Sequence, residues 1–158
     1  MIENTDLFRE SMSRLAGAVS IVTSKVDNRD WSLTISSVCS ISMDPPLLMV
    51  SLQSDKVSTK SILSTNEFKV NLLSEEQISL AKFGAKPGTP KFLDEYFSEN
   101  NSNKSQLTED SLATIQCNLY KSIEAGDHTI LLGLVKEVEL GNLTKPLLYY
   151  SRDFRTTK

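Results

Sequence analysis

Residues 31–52, which read WSLTISSVCSISMDPPLLMVSL, decide the expected architecture of this chain. The first half is rich in hydroxyl side chains, each of which carries a hydrogen-bond donor and acceptor on a short stem. The second half follows the double proline Pro45-Pro46 and contains the apolar run 47–50. A run without polar alternation predicts a strand that is buried on both faces. We therefore expect a polar ledge beside a rigid, buried strand.

This hydroxyl ledge consists of Ser32, Thr34, Ser36, Ser37, Ser40 and Ser42. Taken alone, such a row is most often the solvated surface of a strand. The alternative is the floor of a site for a flat cofactor that carries a phosphate. Lys56, Ser58 and Thr59 fit the second interpretation, because they lie where a loop leads into a predicted helix, and helix N-termini attract phosphate. That signal is weak by itself, since many helices begin in this way.

Composition limits the classes of protein to consider. The 158 residues are 39% hydrophobic and 23% charged, as in an ordinary globular protein, and we expect a single domain over 1–158. A net charge of −3 without a basic run argues against a nucleic-acid surface. The sequence shows neither an apolar stretch of about 20 residues nor a signal-peptide pattern. We therefore expect no membrane span and a cytoplasmic location.

The chain has two cysteines, Cys39 and Cys117, and one histidine, His128. Widely separated cysteines without a secretion signal predict free thiols in a reducing compartment. Both cysteines are interpreted as packing residues. A single histidine and two cysteines do not supply the ligands of a zinc site, so no metal site is predicted. A catalytic triad is equally hard to build from these residues.

The pattern of apolar residues predicts a mainly β protein with peripheral helices. A capping box at Ser74–Gln77 opens one helix, whereas residues 85–110 are interpreted as an excursion loop with one helical turn at 91–97. About six strands with short turns favour a β-barrel or closed sheet, and the absence of regular alternation with helices argues against a Rossmann fold. The other predicted elements are helices at 5–16 and 58–65 and strands at 18–26, 68–72, 115–120, 129–140 and 147–150.

His128 follows Gly126-Asp127 at a predicted hairpin turn. The simpler interpretation is a turn histidine that donates to a local carbonyl. Its near-neutral pKa in free form also suits other roles, and Asp127 is placed to orient the ring.

Several passages, in order, resemble the flavin reductase-like family, whose fold is the FMN-binding split β-barrel. Residues 8–12 and 17–23 resemble the opening helix and strand, and Leu33–Ser37 with Asp44-Pro45-Pro46 resembles the flavin-binding signature. Further matches are 68–73, Phe83, Gly126–Thr129 with Gly133 and Val135, and 146–150. The likeness extends from about residue 7 to 155. Ser32 and Val38 depart from the family pattern, which often has glycine and an aromatic residue there.

The resemblance implies a homodimer that binds FMN, or FAD, and reduces it with NADH or NADPH. Leu33, Thr34, Ile35, Ser36 and Ser37 would line the isoalloxazine ring, with Ser51 beside them. By the same resemblance, the flavin phosphate would be bound by Lys56, Ser58 and Thr59. Phe83 would pack near the flavin. His128 would be the catalytic residue that faces the nicotinamide, and Arg152 would contact the nucleotide.

Three hypotheses follow. The first is an NAD(P)H:flavin oxidoreductase that supplies reduced flavin to a partner monooxygenase. The second is a non-enzymatic flavin-binding electron carrier or sensor on the same barrel. The third is a haem- or pyridoxal-phosphate-related split barrel. The residues do not decide between FMN and FAD or between NADH and NADPH as the cofactors. They also do not identify the electron acceptor.

Overall fold

The computed structural model describes residues 5–158, so the first four residues of the predicted domain lie outside the described residues. The described part contains ten strands, five α-helices and one 3₁₀ helix, Glu75–Gln77. The helices are α1 Thr5–Ser13, α2 Val57–Thr65, α3 Ile78–Ala85, α4 Leu93–Glu99 and α5 Lys104–Asp110. The strands are β1 Gly17–Ala18, β2 Ser20–Val26, β3 Arg29–Ile35, β4 Val38–Met43, β5 Pro46–Gln53, β6 Glu67–Leu72, β7 Ala113–Ala125, β8 His128–Leu140, β9 Leu148–Tyr150 and β10 Asp153–Arg155.

Seven strands form one sheet in the order β3-β2-β6-β7-β8-β5-β4, and β1, β9 and β10 form a second, small sheet. Every pairing described in either sheet is antiparallel. The prediction of a mainly β fold with peripheral helices is confirmed. The expected six strands are too few: in the second sheet only β9 matches a predicted strand, 147–150, and β10 lies in the tail that is interpreted as polar.

The hairpin between β2 and β3 follows from local sequence. Asp27 and Asn28 have φ angles of 49° and 63°, the left-handed region that a two-residue turn of type I′ requires at both positions. Asn and Asp tolerate this region better than other non-glycine residues. The turn fixes the register in which Ser32 faces Thr23 and Ile35 faces Ser20.

The apolar run 47–50 is a strand, but it is not buried on both faces. Along β5 the buried residues alternate: Leu48, Val50 and Leu52 are buried, whereas Leu47 and Met49 are only half-buried. The reason is position, because β5 is next to the last strand of the large sheet and only its inner face packs on the core. Because the outer face also carries apolar residues, Leu47 and Met49, the sequence pattern predicts burial on both faces.

Two clusters of buried side chains form the core. One fills the curve of the large sheet and includes Val50, Phe68, Val70 and Leu131; the other packs α3 and α4 against β2. Cys117 belongs to the first cluster, where burial raises the pKa of its thiol to about 12. Its interpretation as a packing residue is confirmed, whereas that of Cys39 is wrong because its side chain is exposed.

Within residues 85–110 the predicted helical turn at 91–97 corresponds to α4, whereas α5 is a second helix in a segment predicted to be a loop. Asn103 caps α5 by accepting hydrogen bonds from the N–H groups of Ser105 and Gln106, and the Gln106 side chain accepts one from the Asn103 N–H at 2.9 Å. Each helix buries a single leucine, Leu93 or Leu107, so neither produces a readable apolar stripe. None of the described helices has the length and apolarity to cross a bilayer.

Candidate functional site

A cavity of about 420 Å³ lies where the end of β3, helix α3 and the C-terminal segment meet. Four of the residues predicted for the cofactor site contribute to its wall: Thr34, Ile35, Ser36 and Arg152. The other lining residues are Val19, Lys82, Ala85, Tyr149, Asp153 and Phe154. The structure therefore brings part of the hydroxyl ledge together with the C-terminal tail, which is distant in sequence.

Three of the six hydroxyls of the ledge bond to other elements, whereas Ser36 and Ser40 are exposed. Ser32 Oγ donates to the carbonyl of Lys91 at 2.9 Å, and Thr34 Oγ1 donates to the carbonyl of Ala81 at 2.7 Å. Ser37 Oγ donates to the carbonyl of Ser51, also at 2.7 Å, and the Ser51 N–H returns a bond to the Ser37 carbonyl. The three hydroxyls thus join the ledge to a loop, a helix and a strand.

Helix α3 approaches this ledge closely because of Gly84. A Cβ atom at this position would overlap Thr34 Oγ1 and would lie 2.7 Å from Ile21 Cδ1. Only glycine allows the backbones to come this near, so the helix packs directly over the strand. This contact places Lys82 and Ala85 of the same helix at the cavity.

A second group of predicted residues lies beyond the end of β5. Lys56 precedes the first turn of α2 and is exposed, whereas the Ser58 and Thr59 side chains are buried. Thr59 Oγ1 donates to the Gln53 carbonyl at 2.7 Å, which holds the loop against the helix. Ser58 Oγ is buried without a hydrogen-bond partner among the described residues. The N-cap position of α2 is occupied by Lys56, and Ser58 lies in the first turn of the helix.

His128 lies beside this loop, opposite Gln53 in the pairing of β5 with β8. Its Nδ1 is 2.7 Å from Asp127 Oδ1, and 41% of the side chain is exposed. The hydrogen bond to His128 lowers the pKa of the Asp127 carboxyl. Ser54 ties the loop to the same turn, since its N–H donates to the Asp127 carbonyl at 3.0 Å. The structure therefore holds the histidine ring in one orientation at an accessible position.

Two predicted residues lie outside both groups. Leu33 is half-buried and packs against the core cluster of the large sheet. Phe83 packs on Tyr96, with ring centroids 5.2 Å apart, and is not among the residues that line the cavity. Arg152 lines the cavity and also forms an ion pair with Glu10 at 2.9 Å, which connects α1 to the tail.

Lys91 was not predicted, because it lies in a segment that was interpreted as an irregular loop. Its carbonyl accepts from both the N–H and the hydroxyl of Ser32. Burial lowers the pKa of its ammonium group, and the nearby charge of Lys56 lowers it further. No spacing or motif in the sequence pairs Lys91 with Ser32, so only the fold reveals this contact.

The family model of the flavin reductase like domain matches residues 12–158. The chain belongs to this family. It is 34% identical over 151 residues to the NADH:riboflavin 5'-phosphate oxidoreductase of Streptomyces pristinaespiralis, covering 94% of this chain and 86% of that protein. It is 29% identical to the reductase component of 4-hydroxyphenylacetate 3-monooxygenase of Thermus thermophilus, with 95% of each chain covered.

Solved structures agree with this assignment. The crystal structure of BorF, the flavin reductase component of a bacterial two-component tryptophan halogenase, superposes with a TM-score of 0.84 at 27% identity. The match covers 97% of this chain and 98% of that one. The predicted family and the predicted flavin reductase fold are therefore both confirmed.

The hydrogen bond of Thr34 leads to the first prediction. Thr34→Val keeps the side-chain shape but removes the donor to the Ala81 carbonyl, so it should lower the free energy of unfolding by about 1 kcal/mol. Thr34→Ser keeps the hydroxyl and serves as the control, with a smaller loss. Urea unfolding of both variants measures the difference. Equal losses would mean that the methyl group, and not the hydrogen bond, matters at this position.

Proposed function

We propose that this protein is an NAD(P)H-dependent flavin reductase that binds FMN, or FAD, and transfers hydride to it from NADH or NADPH. The class of enzyme, an NAD(P)H:flavin oxidoreductase, is confirmed by the family and by its relatives. We further propose FMN as the preferred flavin and a monooxygenase component as the consumer of reduced flavin. The relatives that are reductase components of monooxygenases support the second point.

The assignment of the site rests on one observation: strand β5 is hydrogen-bonded to both groups of predicted residues. Ser51 is bonded to Ser37 at the ledge, and two residues later Gln53 is bonded to Thr59 and paired with His128. A flat ring on the ledge and a phosphate at the start of α2 would therefore be held by one rigid strand. The unpartnered Ser58 hydroxyl and the positive charge of Lys56 are of the kind that a phosphate requires.

Hydride transfer from nicotinamide to flavin requires little acid–base chemistry from the protein. When bound, the flavin accepts the hydride that the reduced nicotinamide donates, so the chemistry belongs to the cofactors. The chain must position the two rings against each other and exclude competing geometries. In this proposal the ledge residues Thr34 to Ser37 support the flavin ring. His128, oriented by Asp127, faces the position of the nicotinamide, and Arg152 contacts the nucleotide.

We also propose that the protein is a homodimer. Large apolar side chains remain exposed on the described chain, among them Met43 of the edge strand β4 at 84% and Leu140 at the end of β8 at 81%. Exposed apolar surface of this kind favours contact with another protein surface. Light scattering after size exclusion should give twice the mass of the 17.6 kDa chain. A monomer at micromolar concentration would contradict the proposal.

A cytoplasmic location completes the proposal. It is supported by the two free cysteines, Cys39 and Cys117, because free thiols are usual in reducing compartments. Fractionation of cells that express the chain tests it, and recovery outside the cytoplasmic fraction would refute it.

The second prediction tests the activity. Purified protein should oxidise NADH or NADPH steadily when FMN or FAD is added in air, and its absorbance spectrum should show only flavin bands. A stable yellow protein that does not react with either nucleotide would instead indicate an electron carrier or sensor. Haem or pyridoxal phosphate bands would indicate the third hypothesis. No flavin-dependent oxidation with either nucleotide would refute the reductase.

The third prediction concerns His128. Because its ring faces the nucleotide in this proposal, His128→Ala should raise the KM for NADH or lower kcat by roughly 10-fold or more, the range of one positioned side chain. Flavin affinity should change little. Asp127→Ala, which removes the partner of Nδ1, should show a smaller loss of the same kind. Steady-state kinetics and flavin fluorescence separate the two quantities. A collapse of flavin affinity with turnover of bound flavin retained would assign the histidine to the flavin instead.

A further inference from the structure

The hairpin of β9 and β10 forms one wall of the cavity at the end of the hydroxyl ledge. Tyr149, Arg152, Asp153 and Phe154 line the cavity from this side. The rings of Tyr149 and Phe154 pack edge-on, with their centroids 5.6 Å apart, and so hold the two short strands together. A side chain that is fixed on the turn of this hairpin is therefore also fixed relative to the cavity.

The turn of the hairpin contains an arginine in a backbone conformation that arginine rarely adopts. Ser151 and Arg152 are its two central residues, between the paired residues Tyr150 and Asp153. Their φ angles are 52° and 62°, the left-handed region that a type I′ turn requires at both positions. Glycine and asparagine reach this region at lower cost than a residue with a long side chain. A residue held there at a cost to the backbone indicates that its side chain has a use.

The last turn of α1 contacts both residues of this hairpin turn. The Ser151 N–H donates to the Ser13 carbonyl at 2.8 Å. Arg152 Nη2 donates to Glu10 Oε2 at 2.9 Å, which makes an ion pair of the two side chains. The end of the helix is thus joined to the wall of the cavity by one backbone bond and one charged bond.

Stability does not explain the ion pair. The Glu10 and Arg152 side chains are 45% and 58% exposed, and an ion pair so open to solvent adds little to the stability of a protein. A guanidinium group, however, carries five N–H donors in a rigid, planar fork. A carboxylate bonded to one side of the fork sets the direction of the remaining donors. Because Arg152 also lines the cavity, Glu10 determines how this positive charge is presented there.

We infer that Glu10 is a positioning residue, which holds the Arg152 guanidinium in the orientation that binds a phosphate of the pyridine nucleotide. The inference rests on the proposed function, in which Arg152 contacts the nucleotide, and adds a residue of α1 to it. Arginine binds phosphate by two parallel hydrogen bonds, so its affinity depends on the orientation of the fork. Loss of Glu10 then weakens nucleotide binding, whereas flavin binding and hydride transfer from bound nucleotide remain.

The test is a double-mutant cycle at Glu10 and Arg152. Arg152→Asn removes the guanidinium and suits the left-handed turn; it should raise the KM for the nucleotide by roughly 10-fold, the effect of one charged hydrogen bond. Glu10→Gln keeps the arginine but releases it, so this KM should rise by roughly threefold. Because Glu10 acts through Arg152, the double variant should resemble Arg152→Asn, without the roughly 30-fold rise of independent effects. The kcat should stay within about twofold throughout.

Two further measurements separate positioning from a general loss of structure. Calorimetric titration with the oxidised nucleotide measures binding without turnover, and its dissociation constant should rise by the same factors as the KM. Urea unfolding should find Glu10→Gln as stable as the wild type, since the ion pair is exposed. Arg152→Asn should be at least as stable, because asparagine tolerates the turn better.

The chain offers a matched control in Arg14. Glu10 forms its other ion pair with this arginine, Oε1 to Nη2 at 3.6 Å, and Arg14 lies outside the described lining of the cavity. Arg14→Gln removes the same kind of contact from the same carboxylate and should leave the KM unchanged. Glu10→Asp keeps the negative charge on a shorter side chain and should fall between the wild type and Glu10→Gln.

Additive effects in the double variant would overturn the inference, since Glu10 would then act independently of Arg152. An unchanged nucleotide affinity in Glu10→Gln, or a loss of flavin affinity in its place, would overturn it as well. If Arg152→Asn does not fold by circular dichroism, Glu10→Gln and Arg14→Gln decide, and equal KM values reject the role of Glu10. A wild-type protein that oxidises NADH or NADPH with added flavin retains the reductase function even where these results reject that role.

Discussion

The geometry of the site depends on three hydrogen bonds from hydroxyl groups of residues 32–37 to backbone carbonyls. Ser32, Thr34 and Ser37 each donate to a different element: the segment before α4, helix α3 and strand β5. Each such bond contributes about 1 kcal/mol net, and loss of the donor would leave a shielded carbonyl unsatisfied at greater cost. These bonds fix the ledge relative to three parts of the chain that are far apart in sequence.

Strand β5 connects the ledge to the phosphate-binding end of the proposed site. Its residues Ser51 and Gln53 are bonded to the ledge and to α2 respectively, and a strand advances about 3.3 Å per residue. The ring-supporting and phosphate-binding ends are therefore held at a set separation before any ligand arrives. Such preorganisation lowers the entropic cost of holding two cofactors in a reactive arrangement. The turn that carries His128 is also held to β5, because Ser54 in the loop after β5 is hydrogen-bonded to Asp127.

Charged residues divide into those that shape the site and those that would bind ligands. Arg29 pairs with Asp94 and Glu95 of α4 and lies over the Phe92 ring, 3.8 Å from its centroid. These contacts anchor the start of α4, and so the backbone of Lys91, to β3. Among the described residues, the carboxylate contact of Lys56 is with the adjacent, exposed Asp55 at 3.9 Å. This leaves the charge of Lys56, at the start of α2, available to a phosphate in the proposed site.

The sequence by itself determined the β-rich class, the family, the ledge and the position of His128 beside Asp127, because these depend on local spacing and on the order of motifs. Only the tertiary structure decided the rest. Burial of β5 depends on its place near the sheet edge, and α4 and α5 each bury one leucine, too little for a readable period. The hydrogen bond from Ser32 to the Lys91 carbonyl joins residues 59 positions apart. No local pattern in the sequence encodes such a contact.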